Sequence, residues 1–201
     1  MKKSQYLTLF AIILILVICG MFFYRQKSKH KLISAIKERN IEEVKVLLND
    51  GVDVNIKTGK DGFTPLMIAA KQDDLYMVSM LLQNRAEVNA KNDYGFTAFM
   101  EAARACNLDV LKLLLEQGAN INEQGNLGST ALSNAVFLGQ KGVVKFLIDN
   151  QADVNLLDSC RETPLNIAKN RKQIEIEQLL RKHGAKTYSE LKAEKNNPQT
   201  P

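Results

Sequence analysis

The chain has no tryptophan, two histidines and three cysteines among its 201 residues, and each shortage removes a class of chemistry. His30 and His183 stand in no spacing that would ligate a metal or serve a nucleophile. Cys19, Cys106 and Cys160 form no pattern, which excludes a disulfide framework, and none has a charged neighbourhood that would activate its thiol. No metal, cofactor or catalysis is expected. Acidic residues are missing from residues 1–29, where Lys2, Lys3, Arg25, Lys27 and Lys29 supply the whole net charge of +5; the remainder balances 22 basic against 22 acidic residues. A neutral body argues against nucleic acid, whose phosphates call for a basic patch on the domain itself.

Long apolar runs are also scarce, and the one that stands out is Leu7 to Tyr24, 18 residues without a charge. That length can span a bilayer core. A retained single-pass helix over 7–24 is expected, after a short tail (1–6) and before a basic juxtamembrane linker (25–29). A cleaved signal and a lipoprotein signal remain alternatives, the latter with lipidation at Cys19 in Leu16-Val17-Ile18-Cys19-Gly20. Against them, Ile18 is not small, apolar residues continue through Met21-Phe22-Phe23-Tyr24, and no small-x-small cleavage site follows. Arg25, Lys27, Lys29, Lys31, Lys37 and Arg39 outnumber Lys2 and Lys3, which favours a cytoplasmic domain by the positive-inside rule. The Met-Lys-Lys start is also how exported bacterial chains begin, so the opposite side stays open. The richness in Lys, Asn and Ile looks bacterial as well.

What is present in quantity is repetition. Gly62-Phe63-Thr64-Pro65-Leu66 returns every 33 residues as Gly95-Phe96-Thr97-Ala98-Phe99, Gly128-Ser129-Thr130-Ala131-Leu132 and Arg161-Glu162-Thr163-Pro164-Leu165. A second phrase keeps step: Leu81-Leu82 with Ala86-Glu87-Val88-Asn89, Leu114-Leu115 with Ala119-Asn120-Ile121-Asn122, and Leu147-Ile148 with Ala152-Asp153-Val154-Asn155. A truncated opening copy ends at Gly51-Val52-Asp53-Val54-Asn55. Such a period marks a solenoid. The pattern resembles the ankyrin family, with Ala98 and Ala131 in place of the usual Pro, Arg161 in place of Gly, and Met67, Met100, Ser133 and Asn166 in place of His.

The resemblance implies an all-α ankyrin-repeat solenoid of about five helix-turn-helix units with short hairpin loops. Its domain covers 30–186, divided into an N-cap repeat (30–59), three central repeats (60–92, 93–125, 126–158) and a C-cap repeat (159–186), with a disordered tail over 187–201. The residues fit these jobs. A Gly two positions before Thr suits a left-handed turn, Thr suits a helix N-cap, and Pro suits the first helical turn. Val78, Leu81 and Leu82, with Leu111, Leu114 and Leu115, fall at helical spacing and form an apolar stripe between repeats. Neighbour stacking then supplies stability that a lone repeat lacks.

Family resemblance also implies a protein-binding module, whose partner surface is lined by loop tips and first helices. The positions that differ between copies there are Phe63, Phe96, Ser129 and Glu162 before the Thr; Asp61, Tyr94, Leu127 and Cys160 at the loop tip; and Lys71, Arg104, Phe137 and Asn170 at the end of the first helix. Next to the last set lie Gln72, Ala105, Leu138 and Arg171. Aromatic and Arg side chains are enriched at interface hot spots. The expected partner contacts are therefore Phe63, Lys71, Gln72, Tyr94, Phe96, Arg104, Leu127, Phe137, Leu138 and Arg171. The chain reads as a monomeric, membrane-tethered adaptor or sequestering binder of a protein. Two alternatives stay open: an immunity or inhibitor protein for a secreted toxic enzyme, and an accessory factor bringing a cofactor or metal to an envelope or redox enzyme.

Overall fold

Repetition in the sequence becomes repetition of a helix pair. The computed structural model describes residues 13–16 and 27–196. Helical residues 27–37 (α1) pair with α2 (Ile41–Asn49), α3 (Pro65–Lys71) with α4 (Leu75–Gln83), and α5 (Ala98–Arg104) with α6 (Leu108–Glu116). Then α7 (Ala131–Phe137) pairs with α8 (Lys141–Asp149), and α9 (Pro164–Asn170) with α10 (Ile174–Lys182); α11 (Tyr188–Asn196) closes the stack. Among the described residues the fold is all-helical, and the hairpin loops contribute only an isolated bridge between Thr58 and Phe63.

Each inner helix starts for the same reason. Thr64, Thr97, Thr130 and Thr163 adopt extended backbone angles, and their hydroxyls accept from the amides of Met67, Met100, Ser133 and Asn166. Replacing such a cap by Ala costs about 1 kcal/mol. The turn before each cap is left-handed, with φ of 77° at Gly95, 73° at Gly128 and 62° at Arg161. A side chain at Gly128 would meet the backbone of Asp158 at 2.8 Å, because the next hairpin packs against it. Among the described residues α11 follows the last repeat, and Arg161 lays its side chain over Tyr188 of that helix.

Inner helices α3, α5, α7 and α9 pack side by side, each also against its outer partner. Between the layers lie Leu66, Phe99, Leu132 and Leu165 from the inner helices and Leu81, Leu114, Leu147 and Leu180 from the outer ones, all buried. Polar ties lock the register. Asn55 Oδ1 accepts from the Glu87 amide at 2.8 Å, Asn89 from Asn120 at 2.9 Å, Asn122 from Asp153 at 2.8 Å and Asn155 from Lys186 at 2.7 Å. The hairpins are linked as well, the amides of Asp93, Asn126 and Ser159 donating to the carbonyls of Asp61, Tyr94 and Leu127.

Both ends of the domain depart from expectation. Residues 27–29, expected in a linker, already belong to α1. The expected disordered tail is instead helical as far as Asn196, with residues 197–201 outside the described set. Thr187 and Glu190 exchange cap hydrogen bonds, Arg181 holds Glu190 with two bonds of 2.7 and 2.8 Å, and Lys186 pairs with Glu194. The Arg181 guanidinium and the Thr187 amide hold the Glu190 carboxyl at about 2, well below its usual 4.5. Among the described residues no helix is long and apolar enough to cross a membrane. The expected span over 7–24 and Cys19 lie outside them, except residues 13–16, which are helical.

Candidate functional site

Inner-helix ends and hairpin tips enclose a groove that runs across the repeats. At its N-terminal end a cleft of about 280 Å³ is lined by Lys37, Asp61, Phe63 and Lys71 among others. Further along, a cleft of about 420 Å³ is lined by Ser129, Phe137, Glu162, Asn170 and Arg171 among others. Lys37, Lys71, Arg104, Phe137 and Asn170 occupy the same place on successive inner helices, so one row of side chains forms the helix wall. The hairpin tips form the other wall.

Cations and rings interleave here. Lys71 Nζ lies 5.9 Å from the centre of the Phe63 ring, the Arg104 guanidinium 5.5 Å from Phe96, and the Arg171 guanidinium 4.1 Å from Phe137. Each such contact is worth about 0.5–1 kcal/mol at an exposed site. Phe63 and Phe96 are half-buried against the core, so they act as platforms for the cations and are less open than the sequence reading assumes. Tyr94, Leu127, Phe137 and Leu138 are the open apolar contacts, at 54%, 72%, 52% and 50% exposure. The Tyr94 hydroxyl donates to Asp61 at 2.8 Å, which fixes its ring over the preceding hairpin and raises its own pKa.

Gln72 differs from expectation. It is half-buried, its amide donates to the Lys37 carbonyl at 2.9 Å, and its own carbonyl accepts from Arg39. Its Nε2 joins the first two repeats, while its Oε1 has no hydrogen-bond partner among the described residues. Gln140 plays a related part, donating to the Arg104 carbonyl at 2.8 Å.

Two groove residues escaped the sequence reading. Lys37 extends the helix-wall row one repeat toward the N-terminus, and its spacing of 34 residues to Lys71 carries that signal. Glu101 stands where the other central and C-cap repeats have Ile68, Asn134 and Ile167; it is 2% exposed, and its Oε1 has no hydrogen-bond partner among the described residues. Arg104 lies 3.7 Å away. Burial raises the Glu101 pKa against the pull of Arg104 and Lys71. Elsewhere, Cys106 and Cys160 are free thiols, and among the described residues no group of three or more His, Cys, Asp or Glu could hold a metal ion.

Comparison with known proteins agrees with this architecture. A family model described as ankyrin repeats in three copies matches residues 10–92, 32–125 and 99–190. Over 70 residues the chain is 37% identical to an ankyrin repeat protein of fowlpox virus (strain NVSL), a match that covers 34% of this chain and only 20% of the viral protein. With its caps, crowded glycines and stacked helix pairs all in the repeat's register, the chain belongs to the ankyrin-repeat family, whose repeats are protein-interaction modules.

Proposed function

We infer that the chain is a membrane-tethered binder that holds a protein partner in the groove, as an adaptor or sequestering module, and does no chemistry of its own. The observation that carries the reading is the set of open side chains Tyr94 on one central repeat and Leu127, Phe137 and Leu138 on the next, each at least half exposed. Neighbouring exposed apolar side chains mark interaction surfaces where they form a patch, and aromatic anchors flanked by Arg are typical of that use. Lys71, Arg104 and Arg171 flank them, with Phe63 and Phe96 as supporting platforms. Tethering is supported by the uncharged stretch Leu7 to Tyr24, whose length can cross a bilayer core.

Placing a photoreactive residue at Leu127 or Leu138 in the full chain, in cells, tests the groove. The expected result is a discrete adduct from both positions that is lost when Tyr94→Ala and Phe137→Ala are added. Adducts that ignore those substitutions would overturn the assignment. Fractionation of the same cells tests the tether, which requires the chain to stay with membranes through a high-salt and alkaline wash.

A further inference from the structure

Between the uncharged stretch and the repeats the chain has almost no linker. Only Arg25 and Gln26 separate Tyr24, where that stretch ends, from Lys27, where α1 begins. Nor is α1 a loose extension of the stack. Ser28, Leu32, Ile33, Ala35 and Ile36 are buried, so the helix is built into the first repeat from its opening turn.

Length then limits where that turn can sit. As a helix, the 18 residues from Leu7 to Tyr24 measure about 27 Å, against about 30 Å for the hydrocarbon core. A span over this stretch has no apolar length left beyond the core. From Tyr24 to Lys27 the chain reaches at most about 11 Å, and the headgroup layer outside the core is about 5–7 Å thick. The first turn of α1 therefore starts within the headgroups or close to their outer edge.

Charge fits this placement once the neighbouring carboxylates are counted. Residues 1–37 contain no Asp or Glu, and residues 25–31 carry Arg25, Lys27, Lys29 and Lys31. Acids of the next helix answer two of these, since Glu43 pairs with Lys31 at 3.5 Å and Asp50 lines the same cleft as Lys27. Glu42 lines that cleft too and pairs with Lys45 at 3.0 Å, while Glu38 accepts from Ser34. Lys29 does not line the cleft; it is exposed and forms no ion pair among the described residues.

We propose that the first turn of α1 is a lipid-facing surface, on which Lys29 meets the phosphates of an anionic headgroup layer and the short connection holds the first repeat against the membrane. This rests on the tethered reading and adds what the domain touches beyond its anchor. The repeats then sit on the bilayer and not on a stalk.

The test uses the full chain in vesicles of phosphatidylcholine and phosphatidylserine that carry a nitroxide on some headgroups, with a fluorescent residue in place of Lys27. An alkaline wash comes first, and a chain that leaves the vesicles overturns the tether and the contact together. In chains that stay, quenching should be at least about twofold stronger than after insertion of a flexible Gly-Ser linker of about 20 residues before position 27, whose ends lie about 25 Å apart. Equal quenching in the two chains, or none in either, overturns the contact and leaves the tether in place. Lys29→Glu should lower the quenching at unchanged melting temperature, and by more with phosphatidylserine than in phosphatidylcholine alone. Quenching untouched by Lys29→Glu overturns the part given to that side chain.

Discussion

The groove and the outer-helix face both expose apolar side chains, yet they treat charge in opposite ways. On the outer face Leu75, Leu108 and Ile174 stand 43%, 42% and 67% exposed at one repeated position, which Lys141 fills in the third central repeat, and this face carries the ion pairs Lys45–Glu42, Lys141–Glu175 and Lys145–Asp149. In the groove Lys71, Arg104 and Arg171 lie over the rings of Phe63, Phe96 and Phe137, and of the three only Arg104 forms an ion pair among the described residues. One side of the solenoid stacks its cations on rings while the other holds several of its ion pairs. Exposure alone does not distinguish the two faces; the row of cation–ring contacts does.

The strongest way to break the contrast is to remove what both faces share. Phe99, 1% exposed at the centre of the stack, supports inner and outer layers together, and Phe99→Ala should cost about 3–5 kcal/mol. Urea unfolding should show the loss as a lower midpoint.

A smaller change sharpens the contrast by disturbing the hairpin wall alone. Gly128→Ala forces a methyl toward the Asp158 backbone at a φ of 73° and should cost about 1–3 kcal/mol. Hydrogen exchange should then quicken first in the hairpins around Leu127 and Ser159. Protection lost first in α8 would contradict the division between the walls.

The groove has a titration of its own. Because burial raises the Glu101 pKa above 4.5, the folded state binds more protons than the unfolded state just above that value, and stability falls as pH rises through the raised pKa. Glu101→Gln should flatten that part of the pH–stability profile and leave the rest unchanged. An unaltered slope would mean that the carboxyl is not held as described. Least of all should matter the outer pair Lys141–Glu175, 58% and 74% exposed. Lys141→Ala should shift stability by less than about 1 kcal/mol, and a larger shift in melting would mean that the outer face depends on its ion pairs.

Much of this fold was legible because its signals are constraints on the backbone. Gly95 and Gly128 sit where a left-handed turn meets the next hairpin, and Thr at each cap satisfies an amide that nothing else reaches. Arg161 reads as an exception in sequence, and the structure lays its guanidinium over Tyr188 of α11. The helix over Tyr188–Asn196 was hidden by its low apolar content, although Thr187 and Glu190 already had capping-box spacing; ion pairs to Arg181 and Lys186 hold it. The places of the named side chains, on hairpin tips and inner-helix ends, were legible, and what they touch was less so. Gln72 carries a hot-spot-like polar group, and only the stacking of repeats reveals that its amide is used internally. Glu101 looked like any helix carboxylate until the inner layer covered it.

The central claim is that the groove wall, and not the outer face, meets the partner. The most direct measurement compares Lys37→Glu with Lys71→Glu against Lys141→Glu with Lys145→Glu, each in a full chain carrying the photoreactive residue at Leu138. Adduct yield is read in cells, and melting temperature is recorded alongside. The account predicts that the groove pair cuts the adduct about tenfold, the loss of about 1.4 kcal/mol of binding, and that the outer pair leaves it unchanged. Loss with the outer pair and none with the groove pair, at equal melting temperature, would contradict it.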